Sequence, residues 1–179
     1  MPSTTPVRDS TQYLSFLLGG EAYAIGILHV REILEYQPPT RVPQTPPSIR
    51  GVINLRGKVI PIVDLALKFG LPPTEATKRT CTIVVETSIG GEIAVMGVLA
   101  DSVNEVIDLV DSDIEAPPAF GTRVKVDYLR GMGRAGQKFI LLLDIDRILS
   151  AEETAVGSLV PAASVPVAVA PEAPRPLSR

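Results

Sequence analysis

The apolar positions of this chain recur mostly with a period of two. Over Gln12–Leu18, Leu14, Phe16 and Leu18 fall on one face of an extended segment, and over Thr80–Val85 so do Cys81, Ile83 and Val85. Ile93–Leu99 and Lys138–Leu143 are β-branched or aliphatic throughout, which predicts buried strands. Turn signals interrupt the pattern at Gly19-Gly20, Pro38-Pro39, Pro46-Pro47, Pro72-Pro73, Gly90-Gly91 and Pro117-Pro118. Short strands between frequent turns predict antiparallel sheets or small barrels. Helix is predicted only at Asp64–Phe69, with Asp64 as cap and Gly70 at the stop, and at its twin Asp144–Leu149.

The twinning goes further. At an offset of 80, Arg50-Gly51, Lys58 and Asp64 fall on Arg130-Gly131, Lys138 and Asp144. At an offset of 73, Val30-x-Glu32-Ile33 falls on Val103-x-Glu105-Val106, and Gly19-Gly20-Glu21 resembles Gly90-Gly91-Glu92. Residues 12–70 and 80–150 therefore read as two copies of one β unit. Each copy is too small to bury much apolar surface alone, so the two are expected to pack together.

Composition narrows the chemistry. With one Cys and one His in 179 residues, the chain has no internal disulfide, no CxxC motif, no HExxH and no three-His zinc site. No metal or cofactor is expected. The net charge of −3 and the scattered Lys and Arg argue against nucleic-acid binding. The densest basic groups are Lys78-Arg79 and Arg123-Val124-Lys125, with no interleaved aromatics. Apolar runs such as Ile140–Leu143 and Ile60–Val63 end in Asp, far short of the roughly 20 residues a span requires. Met1–Asp9 has no apolar core to serve as a signal peptide. A soluble cytoplasmic protein without direct membrane insertion is expected. Residues 1–10 are expected to form a disordered tail, residues 11–153 the folded domain, and residues 154–179, with five prolines, an extended flexible tail.

Several motifs reduce to structure. Gly131-Met132-Gly133-Arg134-Ala135-Gly136 matches G-x-G-x-x-G but runs into a strand, Gln137–Leu143, so it reads as a hairpin turn rather than a dinucleotide loop. Asp111-Ser112-Asp113-Ile114-Glu115 begins like a calcium loop but has Ala116 and Thr122 where Gly and Glu are needed. His29 has no evident partner and reads as a surface or interface residue. Cys81 reads as a small buried hydrophobe.

Two segments are less ordinary. A strand through Val30-Arg31-Glu32-Ile33-Leu34 puts Glu32 between Val30 and Leu34 on one face. A carboxylate there is awkward in a core but comfortable on an apolar docking face rimmed by charge. In Gly51-Val52-Ile53-Asn54-Leu55-Arg56-Gly57-Lys58-Val59-Ile60-Pro61, a four-residue turn Asn54–Gly57 presents Arg56 at its tip. Arg is enriched at interfaces because its fork and stem supply both polar and apolar contact.

Residues 11–150 resemble the CheW-like chemotaxis coupling proteins. The resemblance rests on Tyr13–Leu18, Tyr23–Ile33, Arg41–Pro46 and above all Ile49–Leu65. It implies an all-β fold of two packed five-stranded SH3-like β-barrels with short helices. It also implies a non-catalytic adaptor that couples methyl-accepting chemoreceptors, at their cytoplasmic tips, to the regulatory domain of a CheA-type histidine kinase in membrane-associated arrays. A non-flagellar pathway is an alternative reading. A fragment of the kinase, whose regulatory domain shares the fold, is a remoter one, against which the short segment from Met1 argues. By the resemblance, Val30, Glu32 and Arg56 take positions of receptor or kinase contact, within a motif that includes Asn54 and Leu55. Gly51 and Gly57 fix the backbone that aims Arg56. Val103 and Val106 match the receptor-facing groove. The Asn-Leu-Arg-Gly turn is missing from the second copy, which implies different partners for the two copies.

Overall fold

The computed structural model describes residues 10–89, 91–116 and 126–149. The chain begins with an antiparallel hairpin of β1 (Ser10–Leu18) and β2 (Glu21–Gly26). Its turn is made by Gly19 and Gly20 at φ 61° and 85°, a region that glycine enters without a Cβ penalty. A 3-10 turn (Ile27–His29) leads into β3 (Val30–Glu35), followed by β4 (Ile49–Leu55), β5 (Lys58–Val63) and the short helix α1 (Leu65–Lys68). As the sequence predicts, Asp64 caps α1, accepting a hydrogen bond from the Ala66 N–H. The second half repeats this order: β6 (Cys81–Ile89), β7 (Glu92–Ala100), β8 (Ser102–Val110), β9 (Ile114–Glu115), β10 (Leu129–Ala135) and β11 (Lys138–Leu143). The backbone is again helical over 145–149.

The sheets do not follow the two halves of the chain. One sheet has the order β3-β6-β7-β5-β4 and the other β8-β1-β2-β11-β10-β9. Each half sends its first hairpin into the sheet of the other half. The inserted hairpin joins by parallel pairing, β5 with β7 through Ile62↔Gly97 and β11 with β2 through Leu141↔Tyr23. Under the exchange β1→β6, β2→β7, β3→β8, β4→β10 and β5→β11, the order of the first sheet becomes the first five strands of the second. The two-residue β9 is the sixth. The sequence repeat is thus a structural repeat, and neither copy completes a sheet alone.

Three apolar clusters result. Tyr13, Ala24, Leu109, Ile140 and Leu142 fill one sheet, and Ile53, Ile60, Ile62, Val84 and Leu99 fill the other. Between them lies the largest cluster, which includes Leu14, Phe16, Leu18, Tyr23, Phe69, Ile83, Val85 and Leu143. Tyr23 sits at its centre, with ring centroids 6.1 Å from Phe16 and 5.7 Å from Phe69. Both faces of β1 are therefore buried: Leu14, Phe16 and Leu18 face the shared core and Tyr13 the interior of its own sheet.

Three expectations need correction. Ile93 is 71% exposed and Phe139 50%, because β7 and β11 begin at hairpin turns outside the core and are enclosed only further along. Cys81 is only half-buried, while Ile83 and Val85 are fully enclosed; its thiol donates to the Arg79 carbonyl at 3.2 Å, and burial pushes its pKa up. His29 has partners, given below. Residues 1–9, Gly90, Pro117–Lys125 and 150–179 lie outside the described residues, and with them the two predicted tails and the basic group at Arg123–Lys125. Among the described residues no helix is long and apolar enough to cross a membrane.

Candidate functional site

The side chains of Glu32 and Arg56 meet. Arg56 Nη1 donates to Glu32 Oε1 at 2.8 Å and Nη2 to Oε2 at 2.9 Å, a fork-on-fork pair. β3 and β4 are the two edges of their sheet, so this pair ties the β4–β5 hairpin tip to the opposite edge strand. The Arg56 side chain remains 73% exposed and that of Glu32 26%. The hydrogen bond from Arg56, opposed by partial desolvation and helped by the Arg56 and Arg31 charges, holds the Glu32 carboxyl below the usual glutamate range. The Arg56 guanidinium is correspondingly pushed up.

The local backbone explains this aim. The hairpin loop has two central residues rather than the expected four, because Leu55 already pairs with Lys58. Arg56 and Gly57 both take positive φ, 54° and 86°, the pattern of a type I′ turn. A non-glycine residue pays strain there. The Asn54 side chain offsets part of it by accepting the Gly57 N–H at 2.8 Å. Gly51 is buried in β4 at φ 141°, and a Cβ there would stand 2.2 Å from the Thr40 carbonyl oxygen. Its role is to let the Thr40 strand segment lie against Val52, where two backbone hydrogen bonds form at 2.8 and 2.9 Å. Gly131, at the matching place in the second copy, leaves room for the Glu115 carbonyl in the same way.

A bulge separates Val30 from Glu32, opposite Val85 and Val84. Val30 packs against the shared core, whereas Leu34 packs into the interior of its own sheet, so the face read as one docking surface is divided. Leu55 joins Leu34 in that interior. The second copy repeats the bulge in β8 between Val103 and Val106. Val103 packs against the shared core beside Phe16, and Val106 is 46% exposed, as its counterpart Ile33 is at 43%. The structure therefore brings Glu32, Asn54, Arg56 and Gly57 together at one sheet end. Val103 and Val106 lie on a different sheet.

Sequence reasoning missed two groupings. The second hairpin tip has its own charged pair, with Arg134 Nη2 2.9 Å from Glu115 Oε1 and the guanidinium carbon 5.6 Å from the centre of the Phe139 ring. The offset of 80 places Arg134 on Asn54, so the repeat marks the place though not the partner. The other grouping surrounds His29, whose Nδ1 lies 3.0 Å from the Glu86 carbonyl and 4.0 Å from Asp146 Oδ1. Asp146 also accepts from the Thr87 hydroxyl and the Ser88 N–H. Burial acts to raise the Asp146 pKa, but these hydrogen bonds and the His29 and Arg130 charges outweigh it and hold the carboxyl low. No local signal links residues so far apart in the chain.

The model of the CheW-like domain matches residues 12–153. The chain is 39% identical over 145 residues to the chemotaxis protein CheW of Klebsiella aerogenes, covering 81% of this chain and 85% of that one. It is 32% identical to the CheW of Bacillus subtilis, covering 84% of this chain and 94% of that one. The crystal structure of the scaffolding protein TtCheW from Thermoanaerobacter tengcongensis superposes with a TM-score of 0.70 at 31% identity, covering 81% of this chain and 91% of that one. Two sheets that exchange hairpins around one shared core, and a sequence match along nearly all of the described chain, lead to one assignment: the chain belongs to the CheW-like family of chemotaxis adaptor proteins.

Proposed function

We propose that this chain is a non-catalytic adaptor that joins the regulatory domain of a CheA-type histidine kinase to the cytoplasmic tips of methyl-accepting chemoreceptors, and is recruited through them to membrane arrays. The observation that carries the reading is the forked Glu32–Arg56 pair. An exposed arginine is held in a strained turn and locked in one direction by a carboxylate, with Asn54 fixing the turn beneath it. Fold stability alone does not require that strain, since surface ion pairs contribute little. A pre-aimed guanidinium does suit recognition, because its rotamer freedom is already restricted before a partner arrives. Val106 on the other sheet, 46% exposed, supplies the apolar part of such an interface, with the partly exposed sides of Val30 and Val103, which also pack on the shared core. Signalling then follows from small changes in relative position, with receptor ligand binding as the source of free energy.

The test is capture of this chain by receptor cytoplasmic fragments and, separately, by the kinase regulatory domain. Glu32→Lys should weaken receptor capture by about tenfold or more while the melting temperature stays near that of the parent. Capture at the parent level by a folded Glu32→Lys protein contradicts the assignment of Glu32.

A further inference from the structure

A shallow depression of about 410 Å³ opens beside the 3-10 turn Ile27–His29. Its walls include the start of β1 at Ser10–Gln12, Asp108 of β8 and Arg130 of β10. Leu28 belongs to the same wall and is 92% exposed, more than any other large hydrophobic among the described residues. The turn is anchored on both sides of Leu28. Ile27 packs against the shared core, and His29 Nδ1 lies 3.0 Å from the Glu86 carbonyl. The leucine is thus displayed on a fixed backbone, and little order remains to be imposed when a partner covers it.

Two charges share the depression with it. Arg130 and Asp108 are both exposed, and neither makes an ion pair within 4 Å among the described residues, with each other or with any other group. Arg130 acts on Asp146 only from beyond that distance.

This combination selects the occupant. A uniformly acidic partner would meet Asp108, and a uniformly basic one Arg130, like charge against like. A second copy of this chain, turned by half a turn, presents the opposite sign to each. Arg130 then faces the partner's Asp108, and Asp108 faces the partner's Arg130, which is the self-complementarity an isologous contact requires. The two Leu28 side chains come together beside the dyad and leave water. The depression is lined by nine residues, against roughly 20–30 a side in a standard interface, so the contact falls in the weak, transient class.

We propose that this chain self-associates as a weak two-fold dimer through the Ile27–His29 turn, with Leu28 against the partner's Leu28 and Arg130 against the partner's Asp108. This contact does not depend on the assignment of the kinase or receptor.

The test is sedimentation equilibrium of the full chain from about 10 μM to about 1 mM. The average mass of the parent should rise with concentration toward that of two chains. Leu28→Asp, Arg130→Asp and Asp108→Arg should each weaken self-association at least tenfold while the melting temperature stays near that of the parent. An equimolar mixture of the Arg130→Asp and Asp108→Arg proteins should associate again, because each then offers the sign the other lacks. A parent that stays a single chain at about 1 mM overturns the proposal, whether the depression is then covered by another part of the chain, by the kinase or by the receptor. So do folded variants that associate as the parent does, or a mixture that associates no better than its two components.

Discussion

Asp64 is the most consequential polar side chain in the fold, and replacing it by Ala tests the account of the repeat. Its carboxylate is fully buried and accepts four hydrogen bonds. Arg50 Nη1 donates at 3.0 Å, the Thr74 hydroxyl at 2.8 Å, the Thr74 N–H at 2.9 Å and the Ala66 N–H at 3.1 Å. Removing one partner of a buried ion pair costs about 3–5 kcal/mol. Arg50 keeps 31% of its side chain exposed and can turn toward water, which favours the low end. Losing the cap of α1 and the Thr74 contacts adds about 1 kcal/mol. The sum is about 4 kcal/mol, and at ~2–4 °C per kcal/mol for a domain of this size the melting temperature should fall by ~8–16 °C. Asp144, its counterpart, is an internal control. Its side chain is 28% exposed, accepts from the Arg147 N–H at 3.3 Å and lies 3.6 Å from Arg147 Nε. Asp144→Ala should cost only about 1 kcal/mol, or ~2–4 °C. Calorimetric melts of the two variants decide the matter. Equal losses, or a loss below ~3 °C for Asp64→Ala, refute the reasoning.

Further predictions concern the turn and the ionised groups. Gly51→Ala meets a backbone carbonyl and keeps a positive φ, so it should cost about 2–4 kcal/mol in urea unfolding, whereas Gly57→Ala, with open space around its Cβ, should cost about 1 kcal/mol; equal losses contradict the steric account. In a carboxyl-carbon NMR titration Glu32 should show a midpoint below the ordinary ~4.3, and Arg56→Gln should move it upward. Because its folded pKa is depressed, its contribution to stability is present above the ordinary value and is lost as pH falls through the folded one. Asp146 should likewise titrate below the ordinary ~3.9, and Thr87→Val should raise its midpoint by removing a hydrogen bond to the ionised form; an unmoved midpoint contradicts the hydrogen-bond assignment.

The parts of this fold visible in the sequence are those set by local chemistry. Glycine pairs mark the hairpin turns, Asp64 marks the start of α1, and the repeat at an offset of 80 pairs Gly51 with Gly131 at equivalent close approaches. The hairpin exchange is not local. Nothing in the alternation of β2 tells that it will pair with β11 rather than with a strand of its own half, since both present apolar faces. The bulge at Val30–Glu32 changes the parity of the strand, so strict alternation misplaces Leu34 relative to Val30. Phe139 and Ile93 look like core residues because hydrophobicity alone does not reveal how far a hairpin projects beyond the barrel. The sequence marks both Glu32 and Arg56 as candidates, but that they face one another follows only from closing the sheet. His29 and Asp146 are likewise brought together by the packing of the C-terminal helical turn on the opposite half.

The coupling role itself is tested by reconstitution. This chain, the host's CheA-type kinase and receptor cytoplasmic fragments are sedimented together, and kinase autophosphorylation is followed in the same samples. The account predicts that the chain enters a ternary complex and changes the autophosphorylation rate, and that a folded Glu32→Lys protein does neither to the parent's extent. A chain that stays in the supernatant with both partners present, and leaves the kinase rate unchanged, would contradict it.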